Sequence, residues 1–132
     1  MKILCLGIML AATIPAAATA QSKIERRYSA SFRECMDAAI GVNVEMHDCL
    51  TTEANLQDGR INQAYVMVMR SLAPAKKMVL RRSERAWIVQ RERNCARAAS
   101  KFEGGSGYGT AHYSCYIYET IKQTIVLENY NN

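Results

Sequence analysis

The chain has 132 residues, of which 49% are hydrophobic and 22% are charged, and its formal net charge is +5. This length is sufficient for one domain with a modest core and excludes two independently packed domains. A small positive charge is ordinary for a soluble domain, although it also favours contact with anionic polymers or lipid headgroups.

The first twenty residues have the features of a secretory signal peptide. Lys2 provides the positive start, an apolar run follows over 3–14, and Pro15 ends it. Ala18 and Ala20 provide the small residues before a cleavage site, so we expect cleavage after Ala20. The run is shorter than the roughly 20 residues that a membrane span requires. Cleavage removes Lys2 and leaves a mature chain of charge +4 in a periplasmic or secreted location.

The cysteine count indicates disulfides. Cleavage removes Cys5 and leaves an even set, which in a small exported chain is read as a disulfide framework. A zinc site is excluded because no CxxC pair occurs and His47 and His112 are isolated. The four remaining cysteines are Cys35, Cys49, Cys95 and Cys115.

Residues 21–30 are polar and predict a flexible segment, and a single helical domain is expected over 31–132. Ser31 and Glu34 have the spacing of a capping box, and Gly41 is suited to end a short first helix. Asn43 is expected to cap a second helix that continues to Leu72, with a kink near Gly59.

Two further helices are predicted over 75–99 and 111–127, separated by a glycine-rich loop over 102–111, and Pro74 suits the first turn of the earlier one. The expected fold is all-α, an antiparallel helical bundle of one short and three longer helices. Residues at helical spacing are expected in its core, and they include Tyr65, Leu72, Leu80 and Trp87.

Short turns bring all four cysteines to one end of such a bundle. The preferred pairs are Cys35–Cys49 and Cys95–Cys115. Because each closes a loop in the unfolded chain, each is expected to stabilise the fold by about 3 kcal/mol in the chain-entropy treatment. Sequence alone leaves three pairings open.

Several polar and aromatic residues are candidates for function. Glu53 and Arg91 fall on the inward faces of the second and third helices, so we expect an ion pair or a hydrogen-bonded contact that fixes helix register. Glu45 and Asp48 are candidate partner contacts, together with Glu53 near the start of the same helix, although acids near a helix start also complement its dipole. Tyr108 on the glycine-rich loop is another candidate contact.

The sequence favours a binding protein over an enzyme. No nucleophile with a partner histidine is apparent, and no cofactor or metal motif occurs. Nucleic acid is not an expected partner for an exported chain, and stable membrane insertion is not expected either. Basic residues on the outer side of the third helix provide a second mode of binding, namely Lys76, Lys77, Arg81, Arg82 and Arg85.

An ordered set of residues extends from about residue 33 to 127 and consists of Cys35, Met46-x-x-Cys49, Glu53, Asp58, Ile61-Asn62-x-x-Tyr65, Leu72, Leu80, Trp87, Arg91, Cys95, Gly104-Gly105-Ser106 and Cys115. This set resembles the LprI-type lysozyme inhibitor N-terminal domain family, a family of small exported helical proteins with cysteines. Glu84 departs from the family pattern, because the family usually has glutamine there.

The resemblance implies lysozyme inhibition, with lysozyme or another envelope protein as partner. The alternative is a periplasmic envelope protein that binds an anionic polymer or an envelope protein through the basic helix face. A mature charge of +4 would oppose binding to a basic lysozyme unless local acids dominate the contact. The oligomeric state stays open.

Overall fold

The computed structural model describes residue 21 and residues 23–130, so the predicted signal peptide lies outside the described residues. Four α-helices account for most of this part of the chain, and no strand occurs in it. No helix within it is long and apolar enough to cross a membrane. The helices are α1 (Ala30–Ala39), α2 (Asn43–Ser71), α3 (Pro74–Ala99) and α4 (Gly107–Glu128), with a 3-10 turn at Ser100–Phe102.

Helix α1 is capped by Ser29 rather than by the predicted Ser31. The Ser29 hydroxyl accepts a hydrogen bond from the backbone N–H of Phe32, which satisfies a donor that the helix leaves free. The helix ends at Ala39 because Ile40 (φ 43°) and Gly41 (φ 77°) both have left-handed backbone conformations.

Helix α2 has 29 residues and runs through Gly59 without interruption. Asn43 is its first residue rather than its cap, and the cap position is Val42. Pro74 begins α3 as predicted, since the amide hydrogen that proline lacks would have no partner in the first turn.

Helix α4 begins at Gly107, so the glycine-rich loop is shorter than predicted. Gly109 lies inside the helix where α4 approaches α2. A Cβ atom at Gly109 would lie 2.9 Å from Cδ2 of the His47 ring, closer than such atoms pack. This glycine therefore permits close helix contact and does not belong to a loop.

Helices adjacent in sequence run antiparallel, whereas α2 and α4 point the same way. Helix α4 packs closely against both α2 and α3, while α2 and α3 are not themselves a closely packed pair. One core cluster lies between α2 and α4 around Leu50, Ile117 and Ile121. A second joins α2, α3 and α4 around Ile61, Leu80 and Leu127, with Tyr65, Leu72 and Trp87 packed half-buried against it. Of the predicted core set, only Leu80 is fully buried, at 1% exposure.

Both predicted cysteine pairs are confirmed as disulfides. The Cα atoms of Cys35 and Cys49 are 5.7 Å apart, and those of Cys95 and Cys115 are 5.3 Å apart. The first bridge joins α1 to α2 and the second joins α3 to α4. The α1–α2 hairpin and the α3–α4 hairpin therefore each carry a cross-link.

The segment before α1 packs against the bundle, although its polar composition predicts flexibility. Ile24 is buried in the cluster around Leu50, and Tyr28 packs beside it. Arg27 forms an ion pair with Glu128 at the end of α4. Hydrogen bonds from the Gln57 and Arg60 side chains to the Arg27 carbonyl add to these contacts, so the segment is held at several points.

Candidate functional site

The turn between α1 and α2 and the helix ends that flank it form an acidic tip, which we define as residues 34–48. The chain has no lysine or arginine between residues 34 and 59. Within the described residues, none of the four carboxylates of the tip has an ion-pair partner. These exposed side chains are Glu34, Asp37, Glu45 and Asp48.

Apolar side chains project from the same tip. Ile40 is 87% exposed and Val44 is 72% exposed, and Val42 lies between them in sequence with about half of its surface exposed. A β-branched residue rarely adopts the left-handed conformation that Ile40 has, because Cβ crowds the following carbonyl. The tip therefore presents apolar groups surrounded by carboxylates, on a backbone held in an unfavourable conformation.

The tip is held in place on both sides. The Cys35–Cys49 bridge closes the hairpin behind it. The Asn43 side-chain amide donates a 2.9 Å hydrogen bond to the Ser106 hydroxyl just before α4. A contact surface fixed in this way loses little conformational freedom when a partner binds.

Glu53 does not contribute to the acidic tip and does not pair with Arg91. Its side chain is 2% exposed. One carboxylate oxygen accepts hydrogen bonds from the Ser29 backbone N–H (3.0 Å) and the Gln57 amide (2.7 Å), and the other accepts one from the Ser29 hydroxyl. The predicted ion pair is wrong because α3 packs against α4 rather than against this part of α2.

Arg91 lies instead between α3 and α4, with 8% of its surface exposed. Its guanidinium carbon is 3.8 Å from the centroid of the Tyr116 ring and 4.8 Å from that of the Trp87 ring. It donates hydrogen bonds to the Thr120 hydroxyl and the Glu92 carboxylate. Stacking and hydrogen bonding together fix this charge in the structure.

Asp58 is the α2 acid nearest to Arg91, with an N–O distance of 3.9 Å. The Tyr116 hydroxyl donates to the Asp58 carboxylate and lies 2.9 Å from both oxygens. Burial, followed by this hydrogen bond, raises the pKa of Tyr116 to about 12. The phenol therefore stays a donor at neutral pH and links α4 to α2.

A groove of about 450 Å³ separates α2 from α3 where α4 lies beneath both helices. We call it the α2–α3 groove. Tyr65 and Trp87 contribute aromatic surface to it, and Arg81 and Arg85 contribute positive charge. Glu84 also lines it and accepts a 2.6 Å hydrogen bond from the Gln123 amide of α4. Burial raises the pKa of the Glu84 carboxyl, and the hydrogen bond opposes that change.

The remaining candidate, Tyr108, is exposed in the first turn of α4. Its ring stacks on that of His112 with centroids 6.1 Å apart. Sequence reasoning identified Glu45, Asp48 and Tyr108 but missed Ile40, because a left-handed isoleucine leaves no sequence signal. It also missed the α2–α3 groove, which depends on α4 lying beneath the two other helices.

Residues 35–127 match the family described as lysozyme inhibitor LprI. No curated protein and no solved structure matches the chain. The family match covers the acidic tip except Glu34, and it also covers the Arg91 contacts, both disulfides and nearly all of α4. Since it spans well over half of the sequence, this chain belongs to the lysozyme inhibitor LprI family.

Proposed function

We propose that the protein is an exported, non-catalytic inhibitor of lysozyme that binds the enzyme through its acidic tip. The family match supports inhibition as the activity. The two disulfides support a compartment outside the cytoplasm, because thiols stay reduced inside it. The observation that carries the proposal is the position of four unpaired carboxylates around exposed apolar side chains.

The charges of the molecule are unevenly distributed, so its net positive charge does not prevent contact with a basic lysozyme. A protein of net positive charge is repelled by a basic lysozyme at long range. At contact, however, the enzyme would meet the acidic tip, residues 34–48, which includes four exposed acids and no lysine or arginine. Charges interact without strong screening only over about a Debye length, roughly 10 Å at 0.1 M salt. In a docked complex the charge of the tip therefore outweighs the net charge of the protein.

The tip has the composition of a binding epitope. Apolar groups at the centre of an interface contribute most of the affinity, and the polar groups around them exclude water and select the partner. Ile40 and Val44 have the central role in this arrangement, and Asp37 and Glu45 have the surrounding one. Such a projection suits a concave partner surface, which is what the substrate cleft of a glycan hydrolase provides.

The test is the lysis of a bacterial cell suspension by an animal-type lysozyme, followed by turbidity as purified protein is titrated in. We expect inhibition that saturates near a fixed molar ratio and does not grow with time of incubation, since a binder acts stoichiometrically. Glu45→Lys should weaken inhibition about tenfold or more by placing like charge against the enzyme.

The matched control is Glu25→Lys, which alters the net charge equally at an exposed acid outside the tip. It should inhibit as the unmodified protein does at moderate salt. Unchanged lysis at large molar excess, across several lysozyme types, would refute the inhibitor proposal. Equal loss of inhibition in both variants would refute the role of the tip, because long-range charge alone would then explain the loss.

A further inference from the structure

The α2–α3 groove carries uncompensated positive charge. Arg81 and Arg85 line it and are exposed, and neither has an ion-pair or hydrogen-bond partner within residues 23–130. The third arginine of the groove, Arg91, is already engaged by Asp58 and Glu92. Two free guanidinium groups therefore face a cavity of ligand size.

The acids of the groove do not cancel this charge. Asp58 is occupied by the Tyr116 hydroxyl and lies beside Arg91. Glu84 is held by Gln123, and burial raises the pKa of its carboxyl, which lowers the cost of its neutral form. An anionic ligand would consequently meet net attraction along the α3 side of the groove.

Aromatic side chains supply the rest of the binding surface. Tyr65 on α2 and Trp87 on α3 line the groove and are half-buried, so their rings are recessed rather than projecting. Aromatic rings attract the weakly positive C–H groups on the flat side of a pyranose. The exposed Asn62 amide adds a donor and an acceptor for hydroxyl or acetamido groups.

We propose that the α2–α3 groove binds an acidic glycan, with Arg81 and Arg85 holding sugar carboxylates and Trp87 and Tyr65 contacting the sugar rings. Arginine binds carboxylates through two parallel hydrogen bonds, which gives geometric as well as electrostatic selection. The recessed rings disfavour a lipid bilayer as the occupant, because insertion into a bilayer requires several projecting apolar side chains and the groove lining offers one, Ile88. This site is separate from the acidic tip and does not depend on lysozyme.

Trp87 is the only tryptophan of the chain, so its fluorescence reports directly on the groove. The probe is a tetrasaccharide of alternating N-acetylglucosamine and N-acetylmuramic acid, whose lactyl groups carry carboxylates. The comparison ligand is the neutral tetrasaccharide of N-acetylglucosamine. We expect a saturable fluorescence change with the acidic probe and binding about tenfold weaker, or more, for the neutral one.

Substitutions separate the groove from general basic charge. Arg81→Gln combined with Arg85→Gln should weaken binding of the acidic probe by about tenfold for each lost contact. The matched control is Arg93→Gln combined with Arg97→Gln, which removes the same charge from exposed positions of α3 outside the groove. Glu45→Lys should leave glycan binding intact, so failure of the inhibitor proposal would not affect this result.

Three kinds of outcome would overturn the proposal. The first is no binding of the acidic probe by fluorescence and by calorimetry. The second is equal affinity for the acidic and neutral probes, or equal loss in the two double variants. The third is binding to phosphatidylglycerol vesicles that depends on Arg81 and Arg85 while neither tetrasaccharide binds, which would assign the groove to a lipid surface.

Discussion

Replacement of Ile40 by asparagine tests the backbone and the docking surface at once. Ile40 ends α1 with φ 43° and is 87% exposed. The left-handed region costs an ordinary L-residue about 1–2 kcal/mol, and asparagine tolerates it far better because its short side chain can hydrogen-bond locally. The side chain buries almost nothing, so no hydrophobic stabilisation is lost.

We therefore expect Ile40→Asn to raise the free energy of unfolding by about 0.5–1 kcal/mol, which corresponds to a few degrees in melting temperature for a domain of this size. Urea unfolding followed by circular dichroism measures the change, with an unaltered m-value showing that the unfolded state is not affected. In the lysis assay the same variant should inhibit less, because an apolar contact at the centre of the tip is gone.

Val44→Asn is the matched control. Val44 is also largely exposed, but it lies within α2, where valine and asparagine have similar helix propensities. This variant should inhibit less without gaining stability. A stability of Ile40→Asn at or below that of the unmodified protein would refute the argument from backbone conformation. Full inhibition by both variants would refute the placement of the contact.

Other predictions concern the core and the groove. Arg91→Met should lower the free energy of unfolding by about 2 kcal/mol in urea titrations, since two cation–π contacts and charged hydrogen bonds are lost; no change would show that these contacts are neutral. Glu84→Gln should raise the melting temperature at pH 7 but not at pH 4. The pKa of this carboxyl is raised in the folded protein, so the folded protein holds the proton more tightly than the unfolded chain does. The stability that this provides is complete below the pKa of the unfolded chain and is lost as pH rises through the pKa of the folded protein. A gain that is equal at both pH values would contradict this. Cys95→Ala with Cys115→Ala should cost about 3 kcal/mol from loop closure, and a loss below about 1 kcal/mol would contradict a structural role for the bridge.

Local features of the fold could be predicted from the sequence. Helical spacing, Pro74 and the glycine at 41 depend on neighbouring residues, so they placed the helices to within a few residues except at the start of α4. The cysteine pairs could be predicted because each bridge joins neighbouring helices across one end of the bundle. The exposure of Glu45 and Asp48 also follows from their charge, because an unpaired carboxylate is rarely buried.

Features that depend on how the helices are arranged could not be predicted in this way. The ion pair expected for Glu53 assumed that α2 packs against α3, whereas α4 lies against both. Gly109 looked like a loop residue because sequence does not show that His47 lies against it. The α2–α3 groove has the same origin, since it exists only because those two helices are held apart.

The order of the two sulfur bridges has a consequence for how the chain matures. Cys35 pairs with the next cysteine along the chain and Cys95 with the last, so the bridges are consecutive and not interleaved. A polypeptide that enters an oxidising space with its amino end first can join its thiols in order of emergence and reach the native pairing without isomerisation. Among residues 23–130, no covalent link crosses the segment between α2 and α3 apart from the backbone itself. A single proteolytic cut there would leave two fragments, each with its own bridge, held together only by their packing.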